Sequence, residues 1–165
     1  MTRTFVVGLD GASWLLLEPW LEDATLPNLS QLRQEGVWST SESCLPPVTF
    51  PNWKCYSSGK NPGGFGVYWF ERIHLDDGRI DIMNRTDFDT AELWDYLNEA
   101  GYTTGVVNMP TMYPPRELDG FVVCGGPDAV DGEYRTIDSG YTSPSTLKTE
   151  LKERYDYRVH PSPML

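Results

Sequence analysis

Short apolar runs alternate along this chain with stretches that have one apolar helical face. Runs typical of strands occupy residues 5–9, 103–108 and 121–124, with a weaker one at residues 37–43. Helical patterns occupy residues 13–21, 90–100 and 143–155. Strands that alternate with helices indicate an α/β fold with a largely parallel sheet flanked by helices. The 165 residues suffice for one domain.

Cap and breaker residues predict where these helices begin and end. Asn28 is the expected N-cap of a helix that Gly36 ends, and Thr90 is the expected N-cap of a helix that Gly101 ends. Residues 143–144, a serine followed by a proline, are typical of a cap and a first helical position. We therefore expect a helix over residues 143–155.

The segment of residues 46–53, PPVTFPNW, predicts a helix that begins at Thr49. The proline pair favours an extended approach, because a residue that precedes proline is pushed out of the α region. Pro51 suits the first helical turn, and Gly59 is the expected stop. A hydroxyl at a helix N-terminus lies where backbone N–H groups favour an alkoxide or a phosphoryl oxygen. Thr49 is therefore a candidate nucleophile, although a helix cap is the simpler interpretation.

Asp10 directly follows the apolar run of residues 5–9. We expect it at the carboxyl end of a first buried strand, which is the edge where open α/β sheets bind ligands. A carboxylate there is a candidate metal ligand, although an aspartate after a strand is also a common cap or turn residue. Lys54, one turn beyond Thr49, is either a contact for a substrate anion or a solvated helix residue.

The formal charge of −11 and the pI near 4.5 exclude some partners. An acidic surface repels nucleic acid and anionic membranes, so we expect neither as a partner. An anionic substrate would need a locally positive site, which a divalent cation can supply. The acidic balance fits either a protein of a high-salt cytoplasm or an ordinary acidic protein.

Targeting signals and structural cysteine patterns are absent from the sequence. The N-terminal apolar run is too short for a signal peptide, and no segment approaches the roughly 20 apolar residues of a membrane span. The three cysteines lack metal-finger spacing and are interpreted as free thiols, so we expect a cytoplasmic protein. The chain stops without a terminal helix or strand, which suggests an incomplete domain.

Several familiar sites are disfavoured by single residues. Asn61 follows Gly59-Lys60 where a phosphate-binding loop needs serine or threonine. Ala12 stands where a haloacid-dehalogenase-type site needs a second aspartate, and Val48 stands where a sulfatase needs arginine. The histidines His74, in a hairpin predicted over residues 72–83, and His160 are too few for a two-metal phosphoesterase centre and are interpreted as surface residues.

In combination, five segments resemble the type I phosphodiesterase/nucleotide pyrophosphatase family of the alkaline phosphatase superfamily. They are VVGLDGA at residues 6–12, LPNL at 26–29, PPVTFPNW at 46–53, SGKNPG at 58–63 and VVNMPTMYPP at 106–115. The resemblance implies that residues 1–165 are the N-terminal part of an alkaline-phosphatase-like phosphodiesterase domain. It also implies a small phosphorylated substrate and two divalent metal ions, usually zinc, with manganese as an alternative.

By this resemblance Asp10 and Thr49 would be metal ligands, and Thr49 would form a phosphothreonine intermediate. The remaining ligands lie in the family beyond the point where this chain stops. Phe65 stands where the family often has histidine, and Phe70 stands where the nucleotide pyrophosphatases have an oxyanion-stabilising asparagine. These two departures argue against a nucleotide substrate.

The sequence thus predicts a metal-dependent phosphodiester or pyrophosphate hydrolase with a threonine nucleophile. We expect the isolated chain to be inactive and to bind metal poorly, since Asp10 and Thr49 alone cannot hold two ions. The alternative is a non-catalytic α/β remnant or subunit, which associates with itself or with a separately encoded C-terminal half.

Overall fold

A computed structural model describes residues 3–125, 140–155 and 157 of the chain. The chain divides into two compact units, Met1–Glu42 and Ser43–Leu165, and each is described by itself. The helices are α1 Trp14–Glu22, α2 Pro27–Glu35, α3 Thr49–Ser58, α4 Pro62–Phe65, α5 Leu93–Glu99 and α6 Leu147–Tyr155. The strands are β1 Glu71–Ile73, β2 Ile80–Ile82, β3 Thr104–Val107, β4 Gly120–Val123 and β5 Thr142–Ser143.

The first unit contains the helix pair α1 and α2. The helix predicted over residues 13–21 is confirmed within one residue, with Ser13 at the N-cap. The prediction that Asn28 caps the second helix is wrong, because Pro27 already occupies the first helical position, where its missing N–H costs nothing. Gly36 ends α2 as predicted, and its N–H donates to the Leu32 carbonyl over 2.9 Å.

The two strands predicted in the first unit are not formed. Residues 5–9 and 37–43 have no strand pairing among the described residues. Phe5 and Val7 expose 85% and 81% of their surface, so the first apolar run is not buried either. A strand satisfies its backbone only through a neighbouring strand, and an apolar run by itself cannot supply one.

The second unit carries a three-stranded mixed sheet in the order β3-β4-β5. Strands β3 and β4 are parallel, from Thr104 opposite Gly120 to Val107 opposite Val123, and β5 pairs antiparallel with β4. This arrangement confirms the α/β class and two of the predicted strands. The main core is built on this sheet by buried side chains, namely Trp94, Val106, Met109, Met112, Val122, Val123, Cys124 and Tyr141.

Strand β3 is only partly buried. Of its four residues only Val106 is buried. Gly105 lies under the ring of Phe121, and a β-carbon at this position would approach the Phe121 Cζ atom to 2.5 Å. The glycine is therefore required by the cross-strand packing of an aromatic ring.

Two helices of the second unit begin later than predicted. The N-cap of α5 is Glu92 rather than Thr90, because the Asp95 Oδ2 atom accepts the Glu92 N–H over 2.8 Å. Helix α6 begins at Leu147 rather than at residue 143, because residues 142–143 pair with β4 as strand β5. A local capping bond decides the start of α5, whereas pairing with a strand elsewhere in the sheet decides the start of α6.

The hairpin predicted over residues 72–83 is confirmed. Strands β1 and β2 pair antiparallel, with Arg72 opposite Asp81. Gly78 has a φ of 74°, and its N–H donates to the His74 carbonyl over 2.8 Å. The positive φ is the reason that glycine suits this turn.

Candidate active site

Thr49 is the first residue of α3, as the sequence predicts. The preceding residue, Val48, is the N-cap and is extended, with φ −111° and ψ 138°. Its carbonyl accepts the Asn52 N–H over 3.0 Å, which is the first bond of the helix. Gly59 ends the helix in the left-handed region at φ 68°. Thr49 is therefore presented at the N-terminus of a 10-residue helix, where the helix dipole favours negative charge.

One face of α3 is buried and holds the helix in place. Its buried residues are Phe50, Pro51, Lys54 and Ser57. Positions 50, 54 and 57 follow the spacing of one helical face. Thr49 is half-buried. Asn52, which is not among the buried residues of the helix, is exposed.

Phe50 anchors the first turn of α3 in an aromatic cluster. Its ring centroid lies 5.4 Å from that of Phe70 and 5.5 Å from that of Phe88, and only 1% of the residue is exposed. The cluster comprises buried Phe50, Val67, Met83 and Phe88, with Phe65 and Phe70 packed against them. The residue that follows the candidate nucleophile thus belongs to a hydrophobic core, which restricts the motion of the helix start.

Phe65 and Phe70 have a packing role in this cluster. The Phe65 ring meets the Phe88 ring edge-on, with centroids 5.4 Å apart. These are the positions where the family resemblance predicts a histidine and an asparagine. Apolar rings replace both polar groups here, and they contribute to the core that supports α3.

Lys54 anchors the middle of α3 through a buried ion pair. Its Nζ atom lies 2.7 Å from Glu92 Oε1, and the two side chains are 1% and 2% exposed. The Ser57 hydroxyl donates to the same carboxylate oxygen over 2.7 Å. Both interpretations of Lys54 from the sequence are therefore wrong, because the amine is neither solvated nor directed at a substrate anion.

The second oxygen of Glu92 is also occupied. The Trp94 Nε1–H donates to Oε2 over 3.2 Å, and the Arg116 Nη1 atom lies 3.7 Å from it. Arg116 also forms an ion pair with Asp95. Two cations thus balance two carboxylates, which is the condition under which charges tolerate burial.

The Lys54–Glu92 pair is the part of this region that the sequence interpretation missed. The partners are 38 positions apart, so no local pattern joins them. A signal was nevertheless present, because Lys54 shares the helical face of Phe50. A charged residue on an apolar helical face indicates a buried partner.

Asp10 lies in a turn of the first unit and is exposed. The Ala12 N–H donates to the Leu9 carbonyl over 3.4 Å, and Gly11 has a φ of 68°. The expectation that Asp10 ends a buried strand is wrong, since residues 5–9 form none. The turn itself is local and follows from the Asp-Gly pair.

Asp10 and Thr49 belong to different compact units. Within the described ranges, no three histidine, cysteine, aspartate or glutamate side chains lie close enough together to hold a metal ion. The described residues therefore do not form a complete binding site for a divalent ion. The metal-ligand roles of Asp10 and Thr49 stay predictions.

The histidine of the hairpin belongs to a local polar cluster. His74 Nε2 lies 2.7 Å from Asp81 Oδ2, and Arg79 also contacts this carboxylate. The hydrogen bond from His74 is the largest influence that holds the pKa of Asp81 below its usual value. His160 lies outside the described residues.

Comparison with protein families decides the class of the chain. The model of the family described as type I phosphodiesterase / nucleotide pyrophosphatase matches residues 4–162. The chain belongs to this family. Comparison with curated proteins and with solved structures gave no match. In the described part of the chain, no helix has the length and apolar character needed to cross a membrane.

Membership supports a hydrolase of the phosphodiesterase or pyrophosphatase type and an α/β fold like that of alkaline phosphatase. The family is in general metal-dependent.

Proposed function

We propose that this chain carries the nucleophile-bearing part of a metal-dependent phosphoric ester hydrolase, with Thr49 as the nucleophile. The observation that carries the proposal is the place of Thr49 at the first position of α3. The helix dipole there lowers the cost of charge on an attacking oxygen and on a phosphoryl group. Phe50 and Lys54 are buried on the same helix, so the backbone that carries the hydroxyl is held in place.

The proposed reaction is an in-line displacement at phosphorus. The Thr49 oxygen forms a bond to phosphorus as the bond to the leaving alcohol or phosphate breaks, and the hydroxyl proton passes to solvent or to the leaving group. Water then attacks the phosphothreonine and releases phosphate, or its monoester, from the enzyme. The threonine is regenerated, and one ester bond has been hydrolysed.

The substrate class is a small phosphoric ester, and the phenylalanines Phe65 and Phe70 support a substrate without a nucleotide. Both rings pack in the cluster around Phe50. They can supply no hydrogen bond to a phosphoryl oxygen, whereas the nucleotide pyrophosphatases use an asparagine at the Phe70 position.

We also propose that the isolated chain is inactive. Asp10 and Thr49 are its two predicted metal ligands, and two donors do not hold two divalent ions. We propose further that the metal is zinc, or manganese in its place, and that the protein is cytoplasmic.

Hydrolysis of bis-p-nitrophenyl phosphate tests both claims. The purified chain, assayed with Zn²⁺ or Mn²⁺, should release no more nitrophenolate than the Thr49→Ala variant does. The matched control is Thr90→Ala, which removes a hydroxyl whose only described contact is its neighbour's carbonyl, Ala91 O, at 3.3 Å. Activity that Thr49→Ala abolishes and Thr90→Ala retains would support the nucleophile and overturn the inactivity. Activity that both variants retain would overturn the assignment of Thr49.

A second candidate is a non-catalytic module that associates with a separately encoded C-terminal half or with itself. The observation that favours it is the exposure of the apolar run at residues 5–9, where Phe5, Val6, Val7 and Leu9 expose 54–85% of their surface. Exposed apolar surface of this kind favours association. Light scattering should then show oligomers or aggregates, and a monodisperse monomer that unfolds cooperatively would contradict this candidate.

A further inference from the structure

The hairpin of β1 and β2 has one polar and one apolar face. In an antiparallel pair, residues that stand opposite each other point to the same face, and successive residues alternate between the two faces. The register pairs Ile73 with Ile80 on one face, and it pairs Arg72 with Asp81 on the other. The first of these, called the isoleucine face below, comprises Glu71, Ile73, Ile80 and Ile82.

The charged side chains of the polar face contact each other and the segment that follows the hairpin. His74 Nε2 lies 2.7 Å from Asp81 Oδ2, and Arg79 forms an ion pair with the same carboxylate. Arg72 Nη1 lies 3.4 Å from Oδ1 of Asp87, in the short 3-10 helix that follows β2. The polar face thus has partners within the second unit.

The isoleucine face, in contrast, is open to solvent. Ile73 and Ile80 expose 61% and 58% of their surface, Ile82 is exposed as well, and Leu75 at the turn exposes 97%. Within the described residues β1 and β2 pair only with each other, so both outer edges of the hairpin are also open. A two-stranded hairpin is marginally stable in water unless a further strand or layer covers its apolar face. The exposed face is therefore a surface for docking.

The charge of the chain and the composition of the face restrict what can cover it. A formal charge of −11 repels anionic membranes and nucleic acid. Glu71 is the one charged member of the face, so the face offers no charge pattern to an oppositely charged peptide. Two uncharged faces of β-branched side chains are complementary to each other, and sheets pack in this way about 10 Å apart. A twofold dimer needs a surface that is complementary to itself.

We propose that the isoleucine face is a self-association surface, on which a second copy of this chain docks with the same face. The area of the face determines the strength of this contact. Complete burial of the three isoleucines and Leu75 removes on the order of 500 Å² per copy, against about 800 Å² per partner in a standard interface. The dimer is therefore weak, with a dissociation constant on the order of 100 μM.

The net charge also predicts how the dimer responds to salt. Each copy carries a formal charge of −11, so the two copies repel each other at long range. Salt screens this repulsion and leaves the apolar contact intact, so association should strengthen as the salt concentration rises. A contact held by ion pairs would weaken instead. The proposal does not depend on the catalytic role of Thr49, and the hairpin and residues 5–9 belong to different compact units.

Sedimentation equilibrium of the intact chain tests the proposal. Protein is examined between about 10 and 500 μM, a range that brackets the expected dissociation constant. The average mass should rise with concentration from 18.7 kDa toward twice that value, and it should rise further at high salt. Ile73→Lys and Ile80→Lys should each raise the dissociation constant at least about tenfold, because the twofold contact then buries two ammonium groups. Circular dichroism of each variant checks that the fold is retained.

Matched variants locate the contact on the hairpin. Leu32→Lys adds the same charge to an exposed apolar position of α2, and Val7→Lys adds it to the run of residues 5–9. Both should leave the dissociation constant unchanged. Ile73→Thr keeps a β-branched side chain, so it tests the contact even if the lysine variants unfold, and it should weaken association about threefold.

Four outcomes would overturn the proposal. They are a monomer at every concentration, association that the Ile73 and Ile80 variants retain, association that Val7→Lys or Leu32→Lys weakens as strongly as Ile73→Lys does, and association that salt dissolves. Loss of association in Val7→Lys alone would support the second candidate function and contradict docking through the hairpin.

Discussion

The helix that begins at Thr49 and the apolar run that precedes Asp10 carry equally clear sequence signals, but only the first becomes regular structure. Helix α3 has the predicted start and end, and one of its faces is buried. Residues 5–9 remain exposed and unpaired among the described residues. A helix satisfies its backbone within itself, whereas a strand needs a neighbour at the right distance. Local signals therefore suffice for the element whose hydrogen bonds are local.

The largest effect is expected from Glu92→Gln, which tests how α3 is anchored. The change leaves the Lys54 amine buried against a neutral amide and should lower the free energy of unfolding by about 4 kcal/mol. Urea unfolding followed by circular dichroism measures the loss. Glu150→Gln removes a carboxylate from the exposed ion pair with Arg154 and should cost about 0.5 kcal/mol or less. Similar losses in the two variants would show that the buried pair does not stabilise α3.

Phe50→Ala should have the next largest effect. It opens a cavity in the aromatic cluster and should lower the free energy of unfolding by about 3 kcal/mol. Tyr56→Ala is the control, because this residue lies on the exposed side of the same helix and should cost about 1 kcal/mol or less. If the two losses are equal, the buried face does not hold the helix.

Gly59→Ala tests the end of the helix. A Cβ at this position meets no atom within 4 Å, so the cost comes only from the left-handed backbone at φ 68°. The free energy of unfolding should fall by about 1 kcal/mol. Gly59→Asn should lose less, since asparagine tolerates this conformation better than alanine does. An alanine variant as stable as the parent would contradict a left-handed helix end.

The smallest effect is expected from Val7→Thr in the exposed run. Val7 is 81% exposed, and the change should alter the free energy of unfolding by about 0.5 kcal/mol or less. The same substitution at the fully buried Val122 should cost about 2 kcal/mol. A loss at Val7 that approaches the loss at Val122 would show that the run is buried against a partner in solution.

Much of the second unit could be predicted from sequence patterns. The hairpin around Gly78, the strands that contain Val106 and Val122, and the start of α3 all follow local rules. The start of α6 was predicted too early, because residues 142–143 pair with β4 and do not cap the helix. This pairing depends on the position of a distant strand, which no local window contains.

Within the candidate site, the sequence indicated the Thr49 hydroxyl but not the buried contacts that hold its helix in place. Thr49 was identified from its prolines and its place at a helix start. The partner of Lys54 is Glu92, 38 positions away, and no local pattern predicts that contact. Contacts between distant side chains depend on how the helices and strands pack. They therefore cannot be predicted from local sequence patterns.

By itself the sequence determined the family, the α/β class, the net negative charge and the helix that presents Thr49. These are properties of composition, of short motifs and of hydrogen bonds closed within a few residues. Only the tertiary structure decided that Lys54 is buried with Glu92, that Phe65 and Phe70 pack in a core, and that the run before Asp10 is exposed. Burial and pairing are relations between distant segments, and their energies exist only once those segments are in contact.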